Sequence, residues 1–147
     1  MTSKTDINNN IIDGTQIAKE IREEIKQRVS ELAEAGRPIP GLAVILVGSR
    51  RDSQTYVSMK KKACSAAGFV STGREFADTV PQQVLLDAIR ALNGDPTVHG
   101  ILVQLPLPAH LDQDAILRAV DPAKDVDGLH PVNVAALELY SGGDALN

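Results

Sequence analysis

Residues 42–62 read L-A-V-I-L-V-G-S-R-R-D-S-Q-T-Y-V-S-M-K-K-K, and the fold turns on this stretch. Six consecutive apolar residues, Leu42 to Val47, do not suit a strand with one wet face, whose residues would alternate. They suit a central parallel strand covered by helices on both sides. Gly48 breaks the run, and a helix follows with Ser53 as its expected N-cap. Ligands of open α/β sheets bind just beyond the carboxyl ends of the strands, which is where this helix begins. Tyr56 and Lys60 are four residues apart and so share one helical face. If that face walls a pocket, burial and the neighbouring cations Lys61 and Lys62 favour a neutral amine, able to take and return a proton. Ser53 to Lys62 is also what an ordinary solvated helix looks like, and the stretch alone leaves both readings open.

Upstream, Ile17, Ile21, Ile25, Val29 and Leu32 recur at spacings of four and three. They predict a long amphipathic helix capped by Asp13, packed on the core through that stripe, and ended by Gly36 with Pro38 and Pro40. Downstream, the Tyr56 helix stops at Gly68. Residues 69–76 give a second strand whose mixed polarity points to a sheet edge. A helix entering at Pro81 carries Val84, Leu85, Ala88, Ile89 and Leu92 and ends at Asn93-Gly94. Residues 100–104 form a third strand, stopped by Pro106 and Pro108, which cannot donate to a ladder. Asp112 opens a short helix that closes at Asp121-Pro122. Strands and helices alternate, so the crossovers are right-handed and the sheet parallel. The predicted fold is α/β, a three-layer parallel-sheet domain with helices on both faces, over residues 11–147. Residues 1–10, polar and Asn-rich, read as a disordered tail.

Composition removes several functional classes. The 147 residues carry a net charge of −4, and no basic face exists beyond Lys60 to Lys62, which argues against a nucleic-acid partner. No apolar run approaches the ~18–20 residues of a membrane span. The N-terminus has no apolar signal core, so a soluble, cytoplasmic protein is expected, with an organellar location the alternative if a leader has been removed. The single Cys64 lies among alanines and reads as a small packed side chain in a reducing compartment. His99, His110 and His130 lack metal-ligand spacing, so no metal is expected. Residues 48–53, G-S-R-R-D-S, lack the Gly-Lys ending of a phosphate loop. Asp125 and Asp127, two apart in a loop, are expected to divide into a structural cap and a ligand contact, with Lys124 a solvated charge.

In such a sheet the carboxyl ends of the strands meet at one rim. It would gather residues 48–60, Gln104 at the end of an apolar strand, and residues 122–133, P-A-K-D-V-D-G-L-H-P-V-N. An amide can hold a lysine amine, because it offers both donor and acceptor, and an aspartate can accept two N–H groups from a flat heterocycle. Together they make a small polar site in an apolar setting.

With these segments in place, the chain resembles the N-terminal catalytic domain of the bifunctional methylenetetrahydrofolate dehydrogenase/cyclohydrolase family. The resemblance rests on I-I-D-G (11–14), L-A-V-I-L-V-G (42–48), S-Q-T-Y-V-S-M-K-K-K-A (53–63), H-G-I-L-V-Q-L-P-L-P (99–108) and K-D-V-D-G-L-H-P-V-N (124–133). It implies that Lys60 is the catalytic acid/base, that Tyr56 lies against the pterin ring and that Gln104 orients the lysine. Asp127 would hold the amino-pyrimidine edge, and the backbone at Val103 and Leu105 would line the same folate site. The implied chemistry is oxidation of 5,10-methylenetetrahydrofolate with NADP, then hydrolysis of the 5,10-methenyl form to 10-formyltetrahydrofolate. The family carries its dinucleotide on a second, Rossmann domain. No G-x-G-x-x-G occurs in this sequence, so no cofactor-binding residue is assigned here. Ser49 to Asp52 replaces the family's common Asn-Pro-Ala or Asp-Pro-Ala run, and Ala135 stands where a glycine is common. Family members are commonly homodimers through the second domain, so any dimer of this chain would be weakened. The alternative function is a non-catalytic folate-binding or dimerisation module.

Overall fold

Strand β1 (Gly41–Val47) is buried along its length apart from half-buried Leu42, and the other elements are arranged around it. The computed structural model describes residues 12–142, so the expected tail over 1–10 lies outside the described residues. The elements run α1 (Gly14–Glu34), β1, α2 (Arg51–Ala66), β2 (Val70–Phe76), α3 (Gln82–Gly94), β3 (Gly100–Val103), α4 (Gln113–Ala119) and α5 (Pro131–Gly142). Among the described residues the sheet has three parallel strands in the order β2-β1-β3, with Gly41 beside Val70 and Leu42 beside Gly100. The expected edge position of β2 is therefore observed.

Side chains alternate across the sheet, and each face of β1 meets a different layer. Ala43, Ile45 and Val47 pack with Leu85, Ile89 and Leu92 of α3 and Ile116 of α4. Val44 and Leu46 pack with Leu102 and with Val57 of α2. This is the three-layer α/β arrangement that the unbroken apolar run of β1 requires.

Local signals set the helix ends. The Asp13 carboxylate accepts the N–H groups of Thr15 and Gln16, each at 3.0 Å, and Asp112 accepts Ala115 N–H at 3.0 Å, so both predicted caps are present. Helix α2 ends in a left-handed glycine. Gly68 has φ +82°, its N–H donates to Ser65 O at 3.1 Å, and Phe69 N–H donates to Cys64 O at 2.9 Å. A Cβ at Gly68 would lie 3.1 Å from Val29 Cγ1, so helix α1 packs closely here.

Three expectations change. Helix α2 begins at Arg51, two residues before Ser53, which is buried within the first turn instead of capping it. The stripe on α1 is covered only toward its C-terminal end. Val29 is 6% exposed, whereas Ile17 and Ile21 are 44% and 49% exposed. A helix of 21 residues is about 31 Å long, against roughly 10–15 Å across three strands, so its first turns overrun the sheet. Strand β3 ends at Val103, one residue before Gln104.

Candidate active site

The rim begins where β1 stops. Gly48 has φ +83° and donates its N–H to Phe76 O at 2.9 Å, turning the chain away from the sheet and into α2. On the neighbouring strand, Gln104 N–H still donates to Ile45 O at 2.9 Å. The ladder therefore fixes the Gln104 backbone although the strand has ended. Pro106 and Pro108 follow, with a cis peptide between Leu105 and Pro106.

Lys60 and Gln104 meet across this junction. Lys60 Nζ donates to Gln104 Oε1 at 3.3 Å, and Gln104 Nε2 donates to Leu105 O at 2.9 Å. The second bond orients the amide: with its NH₂ on the Leu105 carbonyl, its oxygen faces the amine. Both side chains are half-buried. Tyr56, one turn earlier on α2, is 59% exposed, so the face is open and not the wall of a closed pocket. Lys61 and Lys62 do not crowd the Lys60 amine. Lys61 lies over Gly73 and pairs with Glu75 at 3.2 Å, and Lys62 is exposed; successive helical residues diverge by about 100°. Of the two backbone positions implied by resemblance, Val103 is buried and Leu105 half-buried.

The segment that carries Asp127 joins the β3 edge of the sheet. Ile101 N–H donates to Lys124 O at 2.7 Å, and Ile101 and Asp125 form a parallel bridge. A turn at residues 126–127 follows that bridge and holds Asp127. Val126 lies over Gly100, where a Cβ would collide with its Cγ1. Asp127 is exposed at the turn, next to Gly128 at φ +67°.

Asp125 takes the structural role of the expected pair. Asp125 Oδ2 accepts His130 N–H at 2.8 Å and Asn133 Nδ2 at 2.9 Å. Burial pushes this carboxyl upward, but the donors of His130 and Asn133, with the N–H groups of Leu129 and Gly128, outweigh it and hold it below the usual carboxylate range.

Lys124 is not a solvated charge. Its Nζ donates to Leu92 O at 3.1 Å, Asn93 O at 2.7 Å and Asp95 O at 2.9 Å, using all three of its protons on the C-terminal end of α3. Sequence reasoning missed this role and that of Asn133. In both cases the partners come from tertiary packing, with no local pattern to mark them.

The remaining titratable candidates are structural. His99 Nδ1 accepts Gly41 N–H at 3.0 Å, His110 Nε2 sits 3.0 Å from Val80 O, and His130 Nδ1 accepts Val132 N–H at 3.2 Å. Among the described residues no cluster of three metal-ligating side chains exists. Burial pushes the Cys64 thiol upward. No described helix is long and apolar enough to cross a membrane.

A dinucleotide would need donors for its phosphates. The glycine-led helix start that could take its phosphates, at α2, is occupied by the chain's own carboxylate. Asp52 accepts Arg50 Nη2 at 2.7 Å and Ser53 N–H at 2.9 Å, and these bonds, the guanidinium's first, hold it at about 2. That carboxylate, paired with Arg50, takes the place an anion would fill at this helix start.

Fold and rim together define a parallel α/β domain with an amide-oriented lysine at the carboxyl ends of its strands. Residues 12–127 match the family described as tetrahydrofolate dehydrogenase/cyclohydrolase, catalytic domain, and the chain belongs to that family. It is 51% identical over 129 residues to the bifunctional protein FolD of Rhodospirillum rubrum, covering 88% of this chain and 44% of that protein. It is likewise 51% identical over 129 residues to the chloroplastic bifunctional protein FolD 4 of Arabidopsis thaliana, covering 88% of this chain and 36% of that protein. Among solved structures it resembles the methylenetetrahydrofolate dehydrogenase-cyclohydrolase (FolD) of Trypanosoma brucei, complexed with NADP cofactor and an inhibitor. The TM-score is 0.85 at 42% identity, over 89% of this chain and 44% of that one. The chain thus spans less than half the length of these relatives.

Proposed function

We propose that this chain supplies the folate-binding catalytic face of a methylenetetrahydrofolate dehydrogenase/cyclohydrolase, with Lys60 as its proton carrier. The observation that carries the reading is the Lys60 Nζ to Gln104 Oε1 contact of 3.3 Å, in a chain of this family. In hydrolysis of 5,10-methenyltetrahydrofolate, water adds to the methenyl carbon and must lose a proton. The carbon–nitrogen bond then breaks and the leaving ring nitrogen must gain one. The Lys60 amine takes the first proton and returns it to that nitrogen, while the hydroxyl proton of the adduct is released to water as the formyl C=O forms, so the cationic substrate gives the neutral product and one proton in solution. Gln104 holds the amine in line for both transfers, Tyr56 offers a flat face to the pterin, and Asp127 accepts N–H groups from its amino-pyrimidine edge. The backbone at Val103 and Leu105 borders the same site. Oxidation of the methylene form also needs NADP as hydride acceptor.

The test is the rate of 5,10-methenyltetrahydrofolate hydrolysis in the presence of the purified chain, with tetrahydrofolate binding measured by calorimetry. Hydrolysis faster than in buffer is expected. Binding without acceleration would reduce the chain to a folate-binding module, and absence of both would overturn the reading.

A further inference from the structure

We propose that Asn133 is a positioning residue for Asp127, acting through the Asp125 carboxylate; the inference rests on the folate reading above. Asn133 stands in the first turn of α5, outside the rim itself. Its Nδ2 donates to two acceptors, Asp125 Oδ2 at 2.9 Å and Pro122 O at 3.0 Å. An amide nitrogen has two protons, and both are used. The same Asp125 oxygen accepts His130 N–H at 2.8 Å. Residues 122–133 are thereby closed on themselves: Asn133 holds Pro122 and Asp125 on the way out, and Asp125 holds His130 on the way back.

Between those anchors, Asp127 and Gly128 form an exposed tip. The outgoing segment is fixed further by the Ile101 N–H to Lys124 O bond of 2.7 Å and by Val126 over Gly100. These ties set where the loop leaves the sheet. The closure through Asp125 and Asn133 sets how far the tip reaches over the rim, and hence where the Asp127 carboxylate stands relative to Lys60 and Gln104. A one-residue reach error displaces the carboxylate by about 3.3 Å, enough to lose a hydrogen bond to a ligand held by Tyr56 and Lys60.

The experiment is a double-mutant cycle on the full chain, reading the Kd of tetrahydrofolate for wild type, Asn133→Ala, Asp127→Ala and the double variant. Asn133→Ala is expected to weaken binding roughly fivefold, the scale of one lost hydrogen bond, and to cost nothing further once Asp127 is gone. A residue that merely stabilises the fold would weaken binding equally in both backgrounds, and that result overturns the inference. A ligand-free readout accompanies it. In Asn133→Ala the His130 amide should exchange its proton faster while that of Val44 in β1 is unchanged; an unchanged His130 rate overturns the inference on its own. If wild type binds no tetrahydrofolate, the folate reading falls and takes this inference with it. If wild type binds and Asp127→Ala weakens it, but Asn133→Ala leaves it unchanged, this inference alone falls.

Discussion

Lys60 Nζ and Gln104 Oε1 stand 3.3 Å apart, 44 residues from one another in the chain, one on a helix and one at the end of a strand. The contact exists because β1 and β3 are adjacent: the strand that leads into α2 and the strand that ends at Gln104 deliver both groups to one rim. Gln104→Leu keeps the volume and removes the acceptor. With a hydrogen bond of this type contributing about 0.5–1.5 kcal/mol, methenyltetrahydrofolate hydrolysis should fall roughly 2–10-fold. An unchanged rate would show that the amide does not hold the amine during the reaction.

Lys124→Met removes three bonds to the end of α3 and leaves the aliphatic stem in place. The expected loss is about 2 kcal/mol in urea unfolding, from the charged hydrogen bonds and the favourable helix-end charge together. A surface lysine would give a change within about 0.5 kcal/mol, so the measurement separates the two descriptions of this residue.

Asp125 gives the acid limb a definite sign. Its folded carboxyl lies below the usual range, so between the folded and unfolded values the unfolded chain binds more protons and stability rises with pH. The contribution is complete above the unfolded value, about 3.9, and disappears as pH falls through the folded one. Asp125→Asn should therefore lose stability less steeply than wild type when urea midpoints are followed from about pH 5 to pH 2. Parallel curves would mean that the carboxylate is not held in its ionised form by these donors.

The two halves of the apolar set should respond differently. Leu85 is 0% exposed, and Leu85→Ala is expected to cost about 2–5 kcal/mol. Ile17, at 44% exposed, belongs to the part of α1 that overruns the sheet, and Ile17→Ser should change stability by no more than about 0.5 kcal/mol. A large effect at Ile17 would place that turn of α1 against the core.

The sheet was readable because Leu42 to Val47 is apolar at every position, which only a strand covered on both faces tolerates. Asp13 and Asp112 were readable because a cap acts within three residues of itself. Tyr56, Lys60 and Gln104 needed only helical spacing and the rule that strand ends gather at one rim. Lys124 and Asn133 were not readable: the lysine's acceptors lie 29 to 32 residues earlier, and nothing local to either residue announces its partners. The α1 stripe shows the remaining gap. Periodicity says which side of a helix is apolar, but not how much of that side a three-stranded sheet can cover.

The central claim is that Lys60 carries the proton. It is tested most directly by comparing Lys60→Ala with wild type for 5,10-methenyltetrahydrofolate hydrolysis, with tetrahydrofolate affinity measured in parallel. The account predicts that the substituted chain still binds the ligand but loses the acceleration, up to the roughly 10²–10⁴-fold that general acid–base catalysis supplies. Wild-type hydrolysis by Lys60→Ala would contradict it and move the chemistry away from this lysine.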